Sequence, residues 1–68
     1  MNHRNLYFAR QLASCTTYLL GVEKFANIDV LFNKVISLQQ GIWDDEEGWM
    51  DWAKQIVWTA AYALGYSF

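Results

Sequence analysis

The stretch WMDWAKQIVWTAAYAL, residues 49–64, decides the fold class of this chain. Its apolar residues recur at steps of three and four, which is the spacing of one face of an α-helix. One face holds Trp49, Trp52, Ala53, Ile56, Ala60 and Ala63, and an adjoining face holds Met50, Val57, Ala61 and Leu64. A helix that is apolar on most sides lies inside a bundle or against a partner. Two other helices cannot cover it completely, so we expect it to mediate dimerisation or partner binding.

Two amphipathic segments precede this stretch and complete an all-α, three-helix bundle in a single domain, residues 1–68. Helices are predicted at about 4–20, 28–40 and 45–64. Asn27 is a favourable N-cap for the second helix, and Asp29 suits its first turn. The C-terminal ends are predicted at three glycines, namely Gly21, Gly41 and Gly65. The apolar stripe of the first helix is predicted as Leu6, Ala9, Ala13, Thr16 and Leu20, widened by Phe8, Leu12, Cys15 and Leu19.

Composition limits what this small domain can do. Proline is absent, which favours helix throughout. The net charge of −2 and the scattered lysines and arginines argue against direct nucleic-acid binding. One cysteine and one histidine cannot make an intrachain disulfide or a tetrahedral zinc site from those residue types. We therefore expect no catalytic, metal or cofactor site, and we expect oligomerisation or a partner to supplement the core.

Location follows from the same residues. The N-terminal region lacks a clean hydrophobic run and a small-residue cleavage site, so no signal peptide is expected. Residues 55–68 are too few to span a bilayer, and Asp51 and Lys54 would be costly in a longer window. The free Cys15 fits a reducing compartment. These features predict a cytoplasmic protein without a membrane span.

An acidic run at Asp44, Asp45, Glu46 and Glu47, with Asp51 nearby, holds five of the seven carboxylates. Such a run can orient a basic surface of a partner by electrostatic steering. It can equally serve only as the N-terminus of the third helix, where negative charge is stabilised. Its spacing does not match a calcium-binding loop.

Trp58 and Tyr62 lie one turn apart on the most polar side of the third helix, with Asp51 and Lys54. Exposed aromatic side chains of this kind resemble the residues that dominate binding energy in protein interfaces. Two alternatives remain open: the rings pack on the first helix or the C-terminal tail, or Lys54 stacks on Trp58.

These observations predict a small, non-catalytic protein–protein interaction module. We expect an inhibitor or adaptor, of the kind that phages and mobile elements encode, that docks on a larger nucleic-acid-processing protein. The predicted binding residues are Asp44, Asp45, Glu46, Glu47, Asp51, Lys54, Trp58 and Tyr62. The first alternative is a structural subunit that self-assembles. The second is a DNA-binding regulator of the helix-turn-helix type, which the low basic content disfavours.

Overall fold

A computed structural model describes residues 3–39 and 48–67, with side chains from Leu6 onwards. It contains three helices: α1 (His3–Val22), α2 (Ile28–Leu38) and α3 (Trp49–Ala63). No strand occurs in these two ranges. The predicted all-α, three-helix bundle is therefore confirmed, whereas the predicted dimer stays a prediction.

The core lies where one face of α3 meets α1 and α2. On α3, the buried residues are spaced four apart: Trp49, Ala53, Val57 and Ala61. The buried residues of α2 are Leu31, Phe32 and Val35. α1 packs more extensively against α3 than against α2. Small residues in the centre of the α3 column permit this close α1–α3 packing.

The buried face of α1 differs in part from its predicted stripe. Its buried residues are Phe8, Leu12, Thr16, Leu19 and Leu20. Leu6 was predicted to belong to the core but is 51% exposed, because it lies at the edge of the buried face and not at its centre. Thr16 is fully buried, and its hydroxyl donates a 2.7 Å hydrogen bond to the Leu12 carbonyl. A polar group is thus satisfied inside the core.

The C-terminus of α1 corrects the predicted role of Gly21. The helix continues through Gly21 to Val22, and the backbone amide of Glu23 still donates to the Leu19 carbonyl at 3.0 Å. Gly21 is therefore not a left-handed cap. The Leu20 carbonyl, one of the last four of the helix, accepts a 3.1 Å hydrogen bond from the Tyr66 hydroxyl instead.

The N-terminus of α2 confirms the predicted cap. The side chain of Asn27 accepts a 3.0 Å hydrogen bond from the backbone amide of Val30. The helix ends at Leu38, where the amide of Gln39 donates to the Val35 and Ile36 carbonyls, both at 3.1 Å. The predicted end at residue 40 and the Gly41 cap lie outside the described residues.

The N-terminus of α3 lies later in the sequence than the predicted start at residue 45. The helix begins at Trp49, and Gly48 before it has φ 79°, ψ −4°. This left-handed backbone conformation cannot continue an α-helix, so the prediction was wrong at this boundary. The acidic residues at 44–47 lie outside the described residues.

The C-terminus of α3 confirms Gly65 as a cap. Gly65 has φ 91°, and its amide donates to the Tyr62 carbonyl at 2.9 Å. The amide of Tyr66 donates to the Ala61 carbonyl at 3.1 Å. Together these two bonds form a Schellman motif. The reversal carries Tyr66 back to Leu20, so the C-terminal ends of α1 and α3 lie together and the two helices run in the same direction.

Candidate protein-binding surface

The side of α3 that faces away from the core is polar at its N-terminal end and aromatic further along. The buried residues of α3 are spaced four apart and lie on one side of the helix, so the residues on the opposite side are exposed. We call this set the aromatic face; it consists of Asp51, Lys54, Gln55, Trp58 and Tyr62. Four of these five residues belong to the predicted binding set, and the structure brings them together.

Trp58 and Tyr62 form a pair of neighbouring rings on this face. Their centroids are 6.2 Å apart and their planes are inclined by 50°. Trp58 is 51% exposed and Tyr62 is 69% exposed. The alternative in which α1 or the C-terminal tail covers these rings is therefore not the arrangement found. Two large amphipathic side chains are held at a fixed spacing on a rigid helix.

Lys54 connects the aromatic face to α2. Its ammonium group lies 3.0 Å from an oxygen of Asp29 and 5.8 Å from the centroid of the Phe32 ring. Lys54 therefore pairs with α2, and it does not make the predicted cation–π contact with Trp58. Both charged side chains are at least half exposed, so this ion pair contributes less than about 1 kcal/mol to stability.

A shallow cavity of about 540 Å³ lies beside Trp58. It is lined by Ile28, Asp51, Lys54, Gln55 and Trp58. Ile28 was not among the predicted binding residues, because its spacing with Leu31 and Val35 placed it in the apolar stripe of α2. Its half-buried side chain gives the cavity an apolar wall opposite the indole ring. A partner side chain could insert here between one apolar wall and a polar rim.

Of the five predicted acidic residues, only Asp51 lies within the described part of the chain. Asp51 is exposed in the first turn of α3. The other four predicted acidic residues, at positions 44–47, lie outside the described residues, so their place beside this face stays a prediction. Within the described ranges, no group of three His, Cys, Asp or Glu side chains could hold a metal ion. None of the described helices is both long enough and apolar enough to cross a membrane.

Comparison with known proteins adds no functional information. No protein-family model, curated protein or solved structure matches this chain. Any functional conclusion therefore rests on the chemistry and geometry of the residues themselves.

Proposed function

We propose that this protein is a non-catalytic protein–protein interaction module that binds its target through the aromatic face of α3. The observation that carries the proposal is the exposure of Trp58 and Tyr62 as a contiguous pair on a rigid helix. Tryptophan and tyrosine are the residue types most enriched among those that dominate interface binding energy.

The distribution of residue sizes on α3 supports this proposal. Ala53, Val57 and Ala61 are fully buried, whereas Trp58 and Tyr62 lie outside. The outer positions contribute little to the stability of the bundle, and a polar residue there would serve solubility better. Folding alone therefore does not account for two large aromatic rings at these positions, which supports a role in binding.

The proposed mechanism is docking rather than chemistry. A target would bury the two rings in a hydrophobic cleft, while Asp51 and the Lys54–Asp29 pair would form part of the polar rim. The acidic segment at 44–47, which precedes α3 in the sequence, would favour a target with a basic surface next to that cleft. Such a protein would inhibit its target by covering that surface, or would bridge it to another protein.

The test is affinity capture with matched variants. The tagged wild-type chain and the Trp58→Ala, Tyr62→Ala and Tyr18→Ala variants are each incubated with nuclease-treated lysate of the native host, and bound proteins are identified by mass spectrometry. Tyr18 is the control, because it is 64% exposed but lies on α1. The partner is then purified and its affinity for each variant is measured.

We expect the wild type and Tyr18→Ala to capture the same stoichiometric partner. Each α3 variant should bind this partner about 30-fold more weakly. This factor corresponds to a loss of about 2 kcal/mol in binding free energy, which is typical when a dominant interface residue is truncated. Far-ultraviolet circular dichroism must show unchanged helicity, which is expected for exposed positions. If both α3 variants bind the partner as tightly as the wild type does, this assignment of the aromatic face is wrong.

A further inference from the structure

A second surface, separate from the two aromatic rings, lies along the seam between α1 and α3. It is an open groove of about 760 Å³. Its apolar lining consists of Ala9, Ala13, Trp52, Ile56, Ala60 and Ala63, and the uncharged polar residues Gln55 and Thr59 border it on α3. Five of these six apolar residues are only partly buried, and the sixth, Ala63, is exposed. The groove therefore leaves apolar surface of both helices accessible.

Two opposite charges border this groove on its two walls. Arg10 projects from α1 and Asp51 from the first turn of α3, and both line the groove. Both side chains are exposed, and within the described part of the chain neither has an ion-pair partner. Because α1 and α3 run in the same direction, the two charges lie towards the same end of the groove.

We infer that the occupant of this groove is a second copy of the chain, placed by a two-fold axis parallel to α1 and α3. Such an axis places α1 of each copy against α3 of the other, and every residue keeps its position along the direction of the helices. In a two-fold interface, a contact between two residues is repeated with the copies exchanged. Arg10 of each copy then faces Asp51 of its partner. The groove is thus complementary to itself in charge.

The other face-to-face arrangement does not produce this match. A two-fold axis perpendicular to the helices sets α1 antiparallel to α1 of the second copy, so the charged end of one groove meets the uncharged end of the other. Charge complementarity therefore selects the parallel arrangement.

The proposed dimer leaves the two aromatic rings of α3 outside the groove. Neither Trp58 nor Tyr62 lines the groove, and both are more than half exposed. Self-association and target binding therefore use neighbouring surfaces of α3, which share Asp51 and Gln55 at their border.

The experiment is a charge exchange in trans, measured by sedimentation equilibrium at protein concentrations up to about 0.5 mM. The variants are Arg10→Glu, which leaves two acidic residues at the groove, and Asp51→Arg, which leaves two basic residues. Lys34→Glu is the matched control, because it makes the same charge reversal at an exposed position of α2. Trp58→Ala serves as the control for the aromatic face.

We expect the wild type, Lys34→Glu and Trp58→Ala to dimerise with the same affinity. Each groove variant alone should dimerise at least about tenfold more weakly, since like charges replace ion pairs at two places. An equimolar mixture of Arg10→Glu and Asp51→Arg should recover the affinity of the wild type by forming heterodimers, which native mass spectrometry resolves by mass.

Each contrary result is informative. A wild-type chain that is monomeric up to about 0.5 mM would overturn the inference, as would groove variants that dimerise normally. If both groove variants are weakened but their mixture forms no heterodimer, the parallel arrangement is wrong. None of these results depends on the target, so the dimer and the proposed function fail independently.

Discussion

Replacing Gly21 or Gly65 by alanine should change stability in opposite directions, because their backbones differ. A Cβ atom added at either position would meet no heavy atom within 4 Å, so neither substitution creates a clash or buries new surface. Gly21 has helical backbone near the end of α1, and Gly65 has φ 91°. The sign of each effect therefore follows from the backbone conformation alone.

For Gly21→Ala we expect a gain of about 0.5 kcal/mol, the lower part of the helical difference between glycine and alanine, because the site is close to a helix end. For Gly65→Ala we expect a loss of about 1 kcal/mol. A residue with a Cβ atom pays about 1–2 kcal/mol in the left-handed region. Part of this cost is offset, because alanine has less conformational freedom than glycine in the unfolded chain. In a domain of this size, these values correspond to roughly +3 °C and −6 °C in melting temperature.

The assay is thermal and urea unfolding followed by circular dichroism. All variants are compared at one protein concentration, because dimerisation would raise the apparent stability of every chain. A destabilised Gly21→Ala variant would mean that Gly21 is a left-handed cap, as the sequence had suggested, and that α1 ends before Val22. Gly65→Ala with unchanged stability would refute the Schellman motif.

Two further predictions concern the core and the end of α1. Leu31 of α2 is fully buried, so Leu31→Ala should lower the free energy of unfolding by about 3–5 kcal/mol. Leu38 is 54% exposed, so Leu38→Ala should lower it by less than about 1 kcal/mol. Equal losses in urea titrations of the two variants would contradict the described core. Tyr66→Phe should lower the free energy of unfolding by about 0.5–1.5 kcal/mol, because the Leu20 carbonyl loses its hydrogen-bond donor. The control Tyr62→Phe should change it by no more than about 0.5 kcal/mol. Thermal unfolding in which Tyr62→Phe is the less stable variant would contradict this prediction.

Local side-chain chemistry was sufficient to predict some boundaries. Asn27 caps α2 because its short side chain can reach the amide of Val30 whatever the rest of the fold does. Gly65 ends α3 because glycine adopts the left-handed conformation of φ 91° without the steric cost of a Cβ atom. Gly21 carried the same signal and was misread, since glycine is also tolerated inside a helix. One residue type therefore supports two backbone conformations, and only the bundle determines which one occurs.

The start of α3 shows how a plausible local motif can mislead. The carboxylates at 44–47 have the composition of a helix N-terminus, which predicted a start at residue 45. Composition does not reveal that Gly48 adopts φ 79°, which separates those residues from the helix. Residues 44–47 themselves lie outside the described part of the chain, so both of their predicted roles, as negative charge before a helix and as a charged surface for a partner, stay predictions.

The division of α3 into a core side and a binding side could be predicted only in part. Val57 and Trp58 are adjacent and both apolar, yet one is fully buried and the other is 51% exposed. Hydrophobicity does not distinguish them, and periodicity distinguishes them only once the face that meets α1 is known. The polar neighbours Asp51 and Lys54 carried the useful signal, because they share the side of Trp58. A large aromatic residue on the polar side of an otherwise apolar helix is therefore a better indication of a binding surface than total aromatic content, since packing within the bundle does not require it there.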